Sequence, residues 1–197
     1  MSMRWPISVA GGLALSLMAM PAGLLQAQAK TKTDVKTDVQ ADHLWVREAA
    51  ADNLLEVKLG QLAERKATNP AVKQFGQRMV TDHGKANAEL TSMASSHGFP
   101  FQPGLARKHE EKVDRLEKVS GKEFDRAYIR SMIESHTADV SYFENEKMHA
   151  RSTPVRNYAA TYLPMFREHL TQARQIAPQV GADTTLANHA RGAAVRK

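Results

Sequence analysis

The chain has 197 residues, 42% hydrophobic and 24% charged, a length and balance that fit one folded domain. It contains no cysteine, which excludes disulfides, thiolate zinc and iron–sulfur sites, thiol nucleophiles and a lipidated N-terminal cysteine. Any metal must be held by His, Asp and Glu, and a surplus of 27 basic over 21 acidic residues tolerates acidic surfaces without selecting a partner.

Residues 1–29 read as a secretory signal: Arg4 supplies the positive start, Ile7 to Met20 an apolar run, and Ala27-Gln28-Ala29 a small-x-small cleavage site. The run is 14 residues long, short of the roughly 20 that a membrane-spanning helix needs. The expected location is therefore the periplasm, reached by a cleaved signal peptide. Residues 30–41, with Lys-Thr-Asp-Val twice in tandem, carry too little apolar surface to pack and read as a disordered linker.

From Asp42 onward the periodicity is helical, and no stretch alternates with period two over a strand's length. The first helix is predicted from Asp42, as N-cap, to Ala67, with Leu44, Leu55, Leu59 and Leu62 as its apolar stripe. The second opens at Asn69-Pro70, a capping residue followed by the residue best suited to the first helical position, and stops at His97-Gly98. A short, charged and mostly exposed helix follows Pro103-Gly104. Ser120-Gly121-Lys122-Glu123 then matches a capping box for the third long helix. The fourth begins at Thr153-Pro154, holds Pro164 well inside, and ends near Ala177; residues 178–197 read as a mobile tail. Two hairpins of long helices joined by a longer crossover make a four-helix bundle over 42–177, an all-α fold with an extra short helix in the crossover.

Three histidines fall on apolar faces of different long helices: His83 beside Met79, Ala86 and Leu90; His136 beside Met132, Val140 and Phe143; His169 beside Phe166, Ala173 and Ile176. Side chains on facing helices can converge on one ion although distant in sequence. Glu56 is the only carboxylate on a small-residue face of the first helix, made of Ala49, Asn53, Gly60 and Ala63, and Asp139 and Glu144 offer further oxygens about one and two turns beyond His136. The competing reading is a non-catalytic envelope or stress-related interaction protein whose buried His/Glu hydrogen-bond network fixes helix register without metal. His43, His97, His109, His149 and His189 fall at helix ends, on charged stretches or in the tail and read as solvated. No Gly-rich phosphate loop is present, and basic residues are interspersed with acidic ones, so nucleotides and nucleic acid are not expected partners. Weak contact with an anionic membrane surface and homo-oligomerisation stand as open alternatives.

The runs Asn53 to Ala63, Met79 to Asn87, Ser120 to Tyr128 and Leu163 to Leu170 resemble, in that order, the exported bacterial domain-of-unknown-function 4142 family. The resemblance implies a ferritin-like four-helix bundle, export and a metal site, but no established reaction; the family's recurrent positions match Glu56, His83, His136, Glu144 and His169. The chain departs from carboxylate-bridged di-iron bundles, which carry Glu-x-x-His on two helices. Here Asp82-His83 and Glu168-His169 are adjacent pairs, about 100° apart around the helix. A histidine-rich site for iron, copper or zinc is the expected donor set, and whether the protein is an enzyme is left open by the sequence.

Overall fold

A computed structural model describes residues 22–99, 101–102 and 104–182, with side chains from residue 40 onward. Five helices and no strand occur among the described residues: α1 (Ala22–Lys66), α2 (Pro70–Ser96), α3 (Arg107–Glu117), α4 (Gly121–His149) and α5 (Thr153–Val180). The bundle is formed by residues 37–182. The all-α fold with a short helix between two hairpins is as the sequence predicts.

Local chemistry sets the turns. Asn69 caps α2, its side chain accepting from the Ala71 N–H at 2.8 Å, with Pro70 at the first helical position. Two aspartates clasp the tight turns from across the bundle. Asp125 accepts from the backbone N–H groups of Thr68 and Asn69 and from the Thr68 hydroxyl, so α4 holds the α1–α2 turn. Asp42 accepts from the N–H groups of Arg151 and Ser152, so α1 holds the α4–α5 turn. Each carboxylate satisfies donors that a helix start leaves without a partner.

The apolar residues form two clusters, one at each end of the bundle. One contains Leu59, Phe75, Tyr128, Met132 and Ile176; the other contains Trp45, Leu90, Phe143, Tyr158 and Phe166. α1 and α5 pass from the second cluster to the first, whereas α2 and α4 pass from the first to the second. The long helices therefore run up, down, down, up, and the segment with α3 returns the chain along the bundle's length. α1 and α2 touch backbone to backbone: a Cβ on Gly60 would lie 2.6 Å from the Gly76 carbonyl oxygen, and one on Gly76 would lie 2.7 Å from the Ala63 Cβ. Only glycine permits that approach.

Several expectations are corrected. α1 is already helical at Ala22, so residues 30–41 are helical rather than a linker. No glycine or proline interrupts the sequence between Leu24 and Leu59, and an established helix propagates through polar residues at little cost. Asp42 is consequently inside a helix and caps the opposite hairpin instead of its own. Leu44 is half exposed and the buried stripe begins at Trp45 and Val46. Ser120 sits at the N-cap of α4, but its side chain makes no capping bond, and the Glu123 carboxylate accepts from Arg126 at 2.6 Å. Ser152, not Thr153, precedes α5, which runs through Pro164 and Pro178 to Val180, where Gly181 takes the left-handed conformation that ends it. The signal's charged start and apolar run, and tail residues 183–197, lie outside the described residues. No helix among the described residues is long and apolar enough to cross a membrane.

Candidate metal centre

Between the two apolar clusters lies a polar layer. α2 contributes His83, α4 His136 and α5 His169, all with no exposed surface. Their ring centroids form a near-equilateral triangle with sides of 5.5, 5.3 and 5.3 Å. One nitrogen of each ring lies within 4.8 Å of the corresponding nitrogens of the other two.

The second nitrogen of each ring decides what the first can do. Tyr158 donates its hydroxyl to the Ala86 carbonyl at 3.0 Å, so it can only accept from the Asn53 amide, at 3.3 Å. That turns the Asn53 oxygen toward His83 Nδ1, 2.9 Å away, which must therefore be the N–H donor. His136 Nδ1 donates to the Met132 carbonyl at 3.0 Å, and His169 Nε2 donates to Asp82 at 2.8 Å. In each neutral ring the proton is thereby assigned, and the lone pair belongs to His83 Nε2, His136 Nε2 and His169 Nδ1. All three of these atoms are buried without a hydrogen-bond partner among the described residues.

Burial holds all three rings in the neutral form. It pushes His83 well below the ordinary imidazole range, with the neighbouring rings adding to the effect, and brings His136 down to about 3. Burial also lowers His169, although its bond to Asp82 works in the other direction. Neutral imidazole is the form that ligates a metal. An amide, a carbonyl and a carboxylate oxygen behind the rings form the outer shell that fixes tautomer and orientation in metal-bound histidines. Three imidazoles suit zinc, copper or iron.

On the α2–α5 side, Asp82 also accepts from Arg78 at 3.1 Å, and Arg78 reaches Glu168 at 2.8 Å and Gln172 at 3.0 Å. Burial would raise the Asp82 pKa, but the bonds from His169 and Arg78 outweigh it and hold it below the ordinary carboxylate range. The adjacent pair Asp82-His83 thus serves two histidines: one residue is in the triad, and the other orients His169. In the pair Glu168-His169, the glutamate faces outward to Arg78.

On the α1–α4 side, carboxyl oxygens of Glu56 and Asp139 lie within 4.8 Å of each other and of His136. Glu56 is 2% exposed and its Oε2 has no partner among the described residues. Burial pushes Glu56 up to about 7, Lys112 offsetting part of the effect, and burial together with the nearby Glu56 pushes Asp139 well above its ordinary value.

Of the residues singled out in sequence, Glu56, His83, His136 and His169 are brought together. Glu144 is not: it lies on the flank of α4 facing α5, partly exposed, bound to Arg167 at 2.6 Å. His109 is not solvated either. It is 4% exposed, and its Nε2 bonds Asp52 at 3.1 Å, because α3 docks it against α1. Asn53 and Asp82, which orient His83 and His169, are not singled out as site residues by the sequence. Asn53 had a signal, its position three residues before Glu56 on the same small-residue face; Asp82 had none beyond adjacency to His83.

The Domain of unknown function (DUF4142) model matches residues 25–176. No functionally curated protein matches the chain. Among solved structures, the bundle is similar to a DUF305 protein from Streptomyces coelicolor described as secreted, at 11% identity and a TM-score of 0.63, covering 73% of this chain and 94% of the other. At that identity the likeness concerns the fold alone. With a matching model over most of its length, the chain belongs to the DUF4142 family.

Proposed function

We propose that this is an exported metal-binding protein of the ferritin-like bundle type, holding one transition metal ion through His83 Nε2, His136 Nε2 and His169 Nδ1. The observation that carries the reading is the trio of buried lone pairs that face one another with no donor to receive them. Leaving a buried polar atom unsatisfied costs about 1–3 kcal/mol, and three such atoms in one place are accounted for by a ligand that accepts all three. A purely structural network would instead pair the rings with one another or with donors. Export follows from the basic start, short apolar run and Ala27-Gln28-Ala29 site, and agrees with the description of the similar Streptomyces protein as secreted.

With an ion bound, the three imidazoles would supply a compact nitrogen face. Asn53, the Met132 carbonyl and Asp82 hold the rings in place, while the flanking clusters keep water from two ends of the layer. Elemental analysis of the mature protein after incubation with zinc or copper, followed by gel filtration, tests the reading. One equivalent of metal and a raised melting temperature are expected, both lost in His136→Ala and His169→Ala. Substoichiometric metal with unaltered melting would contradict it. Export is tested separately by mass spectrometry of the cell-envelope fraction, where an N-terminus at Lys30 is expected.

A further inference from the structure

The histidine layer has two unlike flanks. Toward α2 and α5, the Arg78 guanidinium ties together Asp82, Glu168 and Gln172 over His169. Toward α1, α3 and α4, a pocket of about 320 Å³ is open to solvent, and its walls include Asp52, Glu56, His109, Lys112, Ser135 and Asp139. Glu56 and Asp139 are thus shared between the pocket and the layer, since oxygens of both lie within 4.8 Å of His136. Glu56 Oε2, buried and without a partner among the described residues, faces this junction.

We propose that Glu56 and Asp139 form a transient carboxylate site for a divalent cation, at the inner end of this pocket, which takes the ion from solvent and hands it to His136 and the three-imidazole centre. The proposal rests on the centre described under Proposed function. The chemistry is a graded exchange of ligands. Two carboxyl oxygens can replace part of a hydrated cation's water shell and release it again, because oxygen donors bind borderline metals more weakly than imidazole does. Three imidazoles between apolar clusters offer no comparable stepping point. Lys112, bonded to Ser135 at 2.7 Å, already places a cation beside these carboxyls and offsets part of the cost of ionising Glu56 there. Lys108 is neutralised by Glu48 and His109 is bonded to Asp52, so neither imposes a strong positive barrier at the entrance.

The test is stopped-flow loading of the mature protein with Co²⁺, whose visible absorption reports ligand type, beside the final stoichiometry. Glu56→Gln and Asp139→Asn are expected to slow loading by about tenfold or more, the scale on which charged clefts accelerate ion capture, while the end-point spectrum remains that of imidazole ligation. Ala138→Trp, which narrows the exposed rim and keeps both carboxyl groups, is expected to slow loading with the end point kept. Wild-type loading rates in all three variants would overturn the relay while leaving the three-imidazole centre standing. Loss of the end point in Glu56→Gln or Asp139→Asn would also overturn it, by showing that the carboxylate is an equilibrium ligand. Failure of the wild-type protein to take up Co²⁺ would overturn the centre and the relay together. Circular dichroism verifies that each variant is folded.

Discussion

The α1–α2 crossing at Gly60 and Gly76 and the histidine layer one to two turns away are equally buried, yet they are built on opposite terms. At the crossing, two backbones touch so closely that neither glycine has room for a Cβ. In the layer, three lone pairs and a carboxyl oxygen have no partner among the described residues. The contrast separates what holds the bundle from what the bundle holds. The crossing is expected to tolerate no added atom, and the layer is expected to survive loss of its chemistry.

Substitution at the crossing breaks the comparison most strongly. Gly60→Leu must displace a carbonyl 2.6 Å from its Cβ, and chemical denaturation is expected to show a loss of about 3 kcal/mol or more, at or above the upper end of the overpacking range. Asp125→Ala comes next. It removes the acceptor for two backbone N–H groups and a hydroxyl at the α1–α2 turn, with an expected loss of about 2 kcal/mol, measured in the same way.

Acid sharpens the contrast. His136 holds a proton in the folded state only near pH 3, against an ordinary value of 6.5. Below 6.5 the unfolded chain binds a proton that the folded one refuses, so stability falls as pH falls, by about 1 kcal/mol per unit for this residue alone. Glu56 acts with the opposite sign. Its folded value of about 7 exceeds the ordinary 4.5, so its contribution is present at low pH and is lost as pH rises from 4.5 to 7. The two offset each other between 4.5 and 6.5, and the histidine effect stands alone below that window. Thermal melting of the metal-free protein is expected to fall with acidification below pH 6.5 more steeply than that of His136→Leu, the difference between the two isolating the histidine.

The smallest expected effect is on the stability of that variant at neutral pH. Leucine replaces a buried ring whose Nε2 has no partner, so the metal-free variant should lie within about 1 kcal/mol of wild type, while its metal-dependent gain in melting temperature disappears.

Sequence carried much of this arrangement because its strongest signals are local. Asn69-Pro70 and His97-Gly98 bound α2 as read, and helical spacing alone puts His83, His136 and His169 on buried faces. What could not be read depends on which helix stands beside which. Relative to His136, Asp139 lies about 60° to one side of the helix and Glu144 about 80° to the other. Both are equally plausible ligands until α1 is known to occupy the first side and Arg167 of α5 the second. His109 sits on a helix polar enough to float free, and only its docking against Asp52 buries it. Asp42 has the chemistry of a cap, but the helix through it continues and the cap serves Ser152. Asn53 shares a face with Glu56, but the orientation of its amide is set by Tyr158, more than a hundred residues away in the chain.

The central claim is that three imidazoles, and no carboxylate, hold the ion at equilibrium. X-ray absorption at the zinc edge of the loaded mature protein tests it most directly. A first shell at about 2.0–2.1 Å with the outer-ring scattering of three histidines is expected, reduced to two in His136→Ala if any zinc is retained. A shell of oxygens alone, or the same spectrum after His136 is replaced, would contradict it.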